Sequence, residues 1–238
     1  MEVNELDRLI REQEGSLSLA FPALMRKVYV WMTLALVLTG ITAFGVASSP
    51  GLMMTIIQTP AIMWGLIIAE LAIVIAISAA INRLSLTTAT LLFVLYSVLN
   101  GATLSLIFAV YTMSSIANVF FITAGTFGVM AAYGYFTKRD LSSWGRLLLM
   151  ALIGLIIATL VNVFLVKSSG FDLILSYAGV LIFVGLTAYD TQKIKQMLAM
   201  QTDMGEGAQK VALLGALSLY LDFINLFLYL LRIFGRRE

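Results

Sequence analysis

The chain is expected to be an all-α integral membrane protein with seven transmembrane helices, on three observations. Of its 238 residues, 61% are hydrophobic and only 12% are charged, against about 25% charged in a soluble domain. Seven segments hold the ~20 mostly apolar residues that a bilayer crossing needs. Lys and Arg gather at alternate connections, the pattern of a chain threaded with its basic loops in the cytosol.

The elements follow in order. Residues 1–27 form a cytosolic N-terminal segment. It lacks the positive, apolar and small-residue regions of a cleaved signal. Val3, Leu6, Leu9 and Ile10 fall at roughly helical spacing, as in an amphipathic helix lying on the membrane surface. The membrane domain occupies 28–234, with spans expected at 28–48, 62–82, 86–111, 115–136, 145–166, 172–192 and 211–233. Pro50-Gly51 breaks the first loop, and Pro60 precedes the second span. Gly205 and Gly207 loosen the longer connection at 196–210, and 235–238 is a short polar tail.

Basic residues precede span one (Arg8, Arg11, Arg26, Lys27) and follow span two (Arg83). Others follow span four (Lys138, Arg139, Arg146) and flank the sixth loop (Lys193, Lys195, Lys210). A cytosolic N-terminus results. Arg232, Arg236 and Arg237 at the other end run against this rule. A full seventh crossing is still expected, because 211–233 is long enough and has no internal breaker. Tyr29, Trp31, Trp64, Tyr135 and Trp144 read as interfacial anchors. Gly125, Gly128, Gly134, Gly154, Gly179 and Gly185 read as points where helices approach closely.

Composition excludes several functions. A net charge of +2 is too small to argue for nucleic acid. With no cysteine and no histidine, disulfides, thiolate metal sites and imidazole chemistry are impossible. Any proton sensing near neutrality falls to carboxylates. No HExxH, GxSxG or phosphate-binding glycine loop occurs, so no catalytic residue is assigned and no enzyme is expected. Two intramembrane aspartates also occur in aspartyl proteases, but Tyr220-Leu221-Asp222-Phe223 has no GxGD pattern.

Three acids lie within the spans: Glu70, Asp190 and Asp222. A charge at membrane depth costs at least ~2.5 kcal/mol, so it is kept for ion binding, proton transfer or pairing. Residue 206 is midway between the two aspartates and lies inside the sixth loop, so the pair should sit level on an antiparallel hairpin. Asp222 shares its helical face with Asn225 and Tyr229. Two carboxylates close together in a low dielectric share one proton, which makes the pair a proton sensor. Hard oxygens also suit Ca2+, and two aspartates with an asparagine would form a weak, hydrated site fit for permeation. Glu70, Asn100, Asn162 and Asn225 are secondary polar groups along an ion path. The competing reading is structural: buried carboxylates tie helices together, and asparagines act as interhelical glue.

Two stretches also carry a family resemblance. Ala188-Tyr189-Asp190-Thr191-Gln192-Lys193-Ile194 and Ala216-Leu217-Ser218-Leu219-Tyr220-Leu221-Asp222-Phe223-Ile224-Asn225-Leu226-Phe227 resemble the Bax inhibitor-1 (transmembrane Bax inhibitor motif-containing) family. Glu70, Asn100-Gly101, the 138–142 loop and Asn162 extend the likeness, and the chain is similar to bacterial members. The resemblance implies a last helix at the centre, surrounded by the other six. It implies a pH-sensitive calcium-leak channel with Asp190 and Asp222 as sensor and gate. It also implies an arginine latch after the second helix, for which Arg83 is the candidate.

The expected activity is therefore passive Ca2+ flux, gated by pH, through the bilayer of a bacterial inner (plasma) membrane. The chain is expected to act as a monomer, with no tightly bound cofactor. The alternative is a non-transporting regulator that binds a membrane protease or another membrane partner. A proton-coupled carrier is disfavoured, since no span is interrupted by proline and no inverted repeat is visible.

Overall fold

In the computed structural model the described residues are 3–201 and 203–236, with side chains from residue 20 onward. They form eight α-helices: α1 Val3–Ala47, α2 Pro50–Gln58, α3 Pro60–Ala80, α4 Leu86–Leu104, α5 Met113–Phe136, α6 Ser142–Val161, α7 Ser169–Ala199 and α8 Glu206–Phe234. Seven of them are long and apolar enough to cross a membrane. The eighth is α2, which fills what the sequence suggests is a loop. Pro50 and Pro60 start α2 and α3 rather than merely breaking the chain, because proline is tolerated in the first turn of a helix.

Helix α1 runs unbroken from Val3, with Pro22 inside it, and its candidate span is Ala20–Ala47. The amphipathic face expected at Val3–Ile10 lies outside the described side chains. Ser85, Thr112 and Ser168 open α4, α5 and α7 by accepting a backbone N–H, which satisfies one of the free donors of a helix N-terminus. Before α6, the exposed Asp140 carboxylate accepts hydrogen bonds from Ser142, which hold it below the usual carboxylate range.

Helix α8 is the centre. In its most apolar stretch 67% of residues are buried, against 6% for α3 and 11% for the α6 span. It packs on α7, α1, α5 and α4. The two remaining spans form an outer layer, α3 leaning on α4 and α6 on α7. Thus α8 is surrounded, but α3 and α6 approach it only across a gap.

The two ends of the bundle differ in charge. At one end Lys27 Nζ donates to Gln209 Oε1 at 3.1 Å, and Leu86 N donates to Glu206 Oε1 at 2.9 Å. Gln192, buried on α7, accepts from Leu141 N and donates to Arg139 O, which clamps the α5–α6 connection to the same end. Arg26, Arg83, Lys138, Arg146, Lys193, Lys195 and Lys210 belong to this end by position. At the other end Arg232 pairs with Asp172 at 3.4 Å. Arg236 is pinned to the 112–115 turn through its backbone, so residues 235–236 do not trail as a free tail. Helix α8 therefore runs unbroken from one end of the bundle to the other.

Glycine contacts divide the six candidates. A Cβ on Gly134 would strike the backbone of Ala188, one on Gly179 the Tyr229 ring, and one on Gly185 the Leu148 side chain. Gly125, Gly128 and Gly154 face open space. Gly145 and Gly215, not singled out from sequence, lie against Tyr189 and Ile194. Of the expected anchors, Trp64 and Trp144 are exposed, whereas Trp31 packs against the core and Tyr135 lies under Lys195 Nζ at 4.9 Å.

Gly134→Ala is expected to lower stability by about 1–3 kcal/mol, because backbone cannot move aside as a flexible side chain does. Gly125→Ala should change it by less than about 1 kcal/mol. Thermal unfolding of both variants in detergent checks the contrast, and equal losses would contradict the assigned crossing.

Candidate functional site: an acidic cleft on the central helix

The gap between α3, α6 and α8 is a cleft of about 540 Å3. Its wall on α3 is Ile67, Glu70, Leu71 and Val74, one face at helical spacing. Leu149, Leu152 and Ile156 form the facing wall on α6. The floor is α7 and α8, carrying Asp190, Asp222 and Asn225. Both aspartates thus open onto one space.

Each acid is placed differently. Asp222 is 5% exposed, and its Oδ2 has no hydrogen-bond partner among the described residues. An unsatisfied buried acceptor costs roughly 1–3 kcal/mol, and more when charged, so this atom is where the site is incomplete. Asp190 is half-buried. Its orientation is set by its neighbours: the Ala188 backbone presses on Gly134 of α5, and the Tyr189 ring covers Gly145 of α6. Lys193 lies 5.9 Å from the Tyr189 ring centroid.

The pair is not level. Gly215 lies beside Ile194 and Gly179 beside Tyr229, which sets the register of α7 against α8. Asp190 then lies opposite the region of Ser218, about one helical turn (~5 Å) from Asp222. The expectation of equal depth centred the hairpin on residue 206, but the turn lies earlier, between Ala199 and Glu206. Side chains lean toward the N-terminus of their own helix, so the carboxylates approach across this offset through the shared cleft.

Glu70 sits midway along α3 and is engaged. Thr103 Oγ1 donates to Glu70 Oε1, and Asn100 Nδ2 donates to Oε2 at 3.2 Å. Asn100 in turn accepts from the Tyr220 hydroxyl at 3.0 Å. Tyr220, fully buried on α8, also lies 2.7 Å from Thr39 Oγ1, which is 2.9 Å from Ser97 O, so the single Thr39 proton serves one of these two oxygens. This polar chain runs from the outer helix α3 through α4 and α8 to α1. Asn225 Nδ2 donates back to Leu221 O at 2.8 Å, which holds the side chain at the floor.

Two expected site residues lie elsewhere. Asn162 does not line the cleft. It closes the π-turn Asn162–Val166, accepting from Ser168 N at 3.1 Å and donating to Ser168 O at 3.2 Å. Its amide stabilises a connection in which Lys167 adopts a left-handed φ of 52°. Arg83 is exposed in the turn after α3 and, among the described residues, forms no ion pair. The latch is not made in this conformation. Asn118 is exposed on α5.

Thr39, Tyr96, Thr103 and Ser218 join the site without having been singled out from sequence. Thr103 was findable: it follows Asn100 at i+3 and so shares its face. Thr39 was not, because nothing local says which helix its hydroxyl meets. No group of three or more Asp, Glu, His or Cys able to hold a metal ion occurs among the described residues. A cation in the cleft would therefore keep part of its hydration.

Fold and site together define a polytopic membrane protein built around a buried helix that carries an unpartnered carboxylate. The profile of the family described as Inhibitor of apoptosis-promoting Bax1 matches residues 22–238. The chain is 54% identical over 215 residues to "Inner membrane protein YbhL" of Escherichia coli (strain K12), covering 90% of this chain and 92% of that one. It is 46% identical over 214 residues to an uncharacterized protein of Borreliella burgdorferi, covering 90% and 92%. An uncharacterized protein of Deinococcus radiodurans is 43% identical over 214 residues, covering 90% of each chain. The chain belongs to the Bax inhibitor-1 family.

Tyr220→Phe is expected to destabilise the protein by about 1–2 kcal/mol, since it strips the buried Asn100 and Thr39 of a shared partner. Reversible unfolding in mixed micelles measures this, and a neutral outcome would show the Tyr220 bonds to be incidental.

Proposed function

We propose that this protein is a pH-responsive calcium-leak channel in which Asp190 and Asp222 form both the gate and the ion contact. The observation that carries this reading is the buried, unpartnered Asp222 oxygen beside Asp190 in one cleft. A carboxylate at that depth needs a proton or a cation. Protonation removes the charge that attracts Ca2+, and deprotonation restores it, so flux falls as pH falls. Asn225 and the Glu70–Asn100 pair supply further oxygens to a partly hydrated ion. Arg83, which forms no ion pair among the described residues, would engage an aspartate only after α3 or its turn moves.

The basic end of the bundle is assigned to the cytosol, with the N-terminus there and the C-terminus outside. Residence in a bacterial inner membrane is supported by the relative that bears that description.

Two experiments test this. In proteoliposomes loaded with a Ca2+ indicator, wild-type leak should rise with pH. Asp190→Asn and Asp222→Asn should flatten that dependence. Unchanged pH dependence in both variants defeats the gate. Flux at the empty-vesicle background in well-folded wild type favours a non-transporting membrane regulator instead. For orientation, a reporter active only in the cytosol and fused after Glu238 should be silent; activity would reverse the assigned sidedness.

A further inference from the structure

The cleft is open sideways. Helices α3 and α6 make no extensive contact with each other, and each is held to the bundle from its far side, by α4 and α7 respectively. Only Ile77 of α3 is buried, and only Gly145 and Leu155 of α6. The mouth between them is walled by Ile67, Leu71, Leu152 and Ile156, while the floor is acidic. In a bilayer such a mouth faces acyl chains.

We propose that this cleft binds a lipophilic organic ammonium ion that enters from the membrane. The inference goes beyond ion leak and stands on the cleft's geometry, whether or not Ca2+ passes. Three features select the occupant. First, among the described residues three carboxylates line the cleft (Glu70, Asp190 and Asp222), and no Lys or Arg does. Lys193, three residues after Asp190, lies 5.9 Å from the Tyr189 ring centroid and is outside the lining. Second, Glu70 already accepts from Thr103 and Asn100, whereas the 95%-buried Asp222 has an oxygen with no donor. An alkylammonium N–H that reaches the Asp222 carboxyl from the cleft donates a charge-assisted hydrogen bond to it. Third, the apolar walls give the alkyl chain a place that a hydrated inorganic ion would leave unused, and the Tyr96 ring lines the same space. A volume of about 540 Å3 lies within the ~300–1,000 Å3 of small-molecule sites. A neutral amphiphile lacks the positive charge and an anionic one carries the wrong charge, so neither matches the acidic floor.

The test uses the full chain in nanodiscs of zwitterionic lipid without Ca2+, with radiolabelled dodecylammonium as probe and empty nanodiscs as background. Binding should be saturable for wild type and absent for dodecanol. Asp222→Asn should weaken it at least ~tenfold through loss of the charge-assisted bond. Leu152→Trp, which fills the mouth and leaves every carboxylate in place, should abolish it and serves if the aspartate variant misfolds. Phe121→Ala, on the exposed face of α5, should leave it unchanged. Equal uptake of dodecanol, simple unsaturable partitioning, or binding untouched by both cleft variants would overturn the proposal. Saturable ammonium binding without Ca2+ flux would remove the channel reading alone; flux without such binding would remove this one alone.

Discussion

A carboxylate on the innermost helix of a membrane bundle imposes conditions on everything around it. Asp222 cannot face lipid, so α8 must be enclosed. It cannot be sealed in dry packing either, because one oxygen finds no donor among the described residues. The bundle meets both demands by burying α8 behind four helices and holding two others back, which leaves a cleft at the acid. The outer position of α3 and α6 follows from that requirement as much as from their uniform apolarity.

Support for the cleft comes from ordinary packing chemistry used at close range. Glycines on α5 and α6 let the residues before Asp190 pack backbone to backbone and ring to backbone, which aims that carboxylate inward. Gln192, one of the family-like motif residues, performs a structural task by tying down the neighbouring loop. The Glu70–Asn100–Tyr220–Thr39 chain links four helices through buried polar groups, each of which would cost free energy if left alone in hydrocarbon. Motif residues in this chain thus divide between those that touch the cleft and those that hold its walls.

Legibility from sequence varied with the range of the interaction. The number of spans and their order were readable, because bilayer thickness sets helix length and apolar runs report it directly. Asp190, Asp222, Asn225, Glu70 and Asn100 were readable as candidates because polar groups at membrane depth are rare. Asn162 looked the same in sequence yet caps a turn, since an asparagine amide serves a loop as readily as a cavity. Arg83 stands exposed in the turn after α3, and its position in the chain does not say which side chain it meets.

By itself, the sequence determined the membrane class, the seven crossings, the charge asymmetry between the ends and the identity of the acids, all of which rest on local composition. Tertiary structure alone decided the register of α7 on α8, which offsets the aspartates by about a turn. It also decided which hydroxyls reach Glu70 and Tyr220, and that α3 and α6 stand apart. Those outcomes depend on which small residues meet which helix backbones, a long-range property that hydropathy and spacing along one strand of chain do not encode.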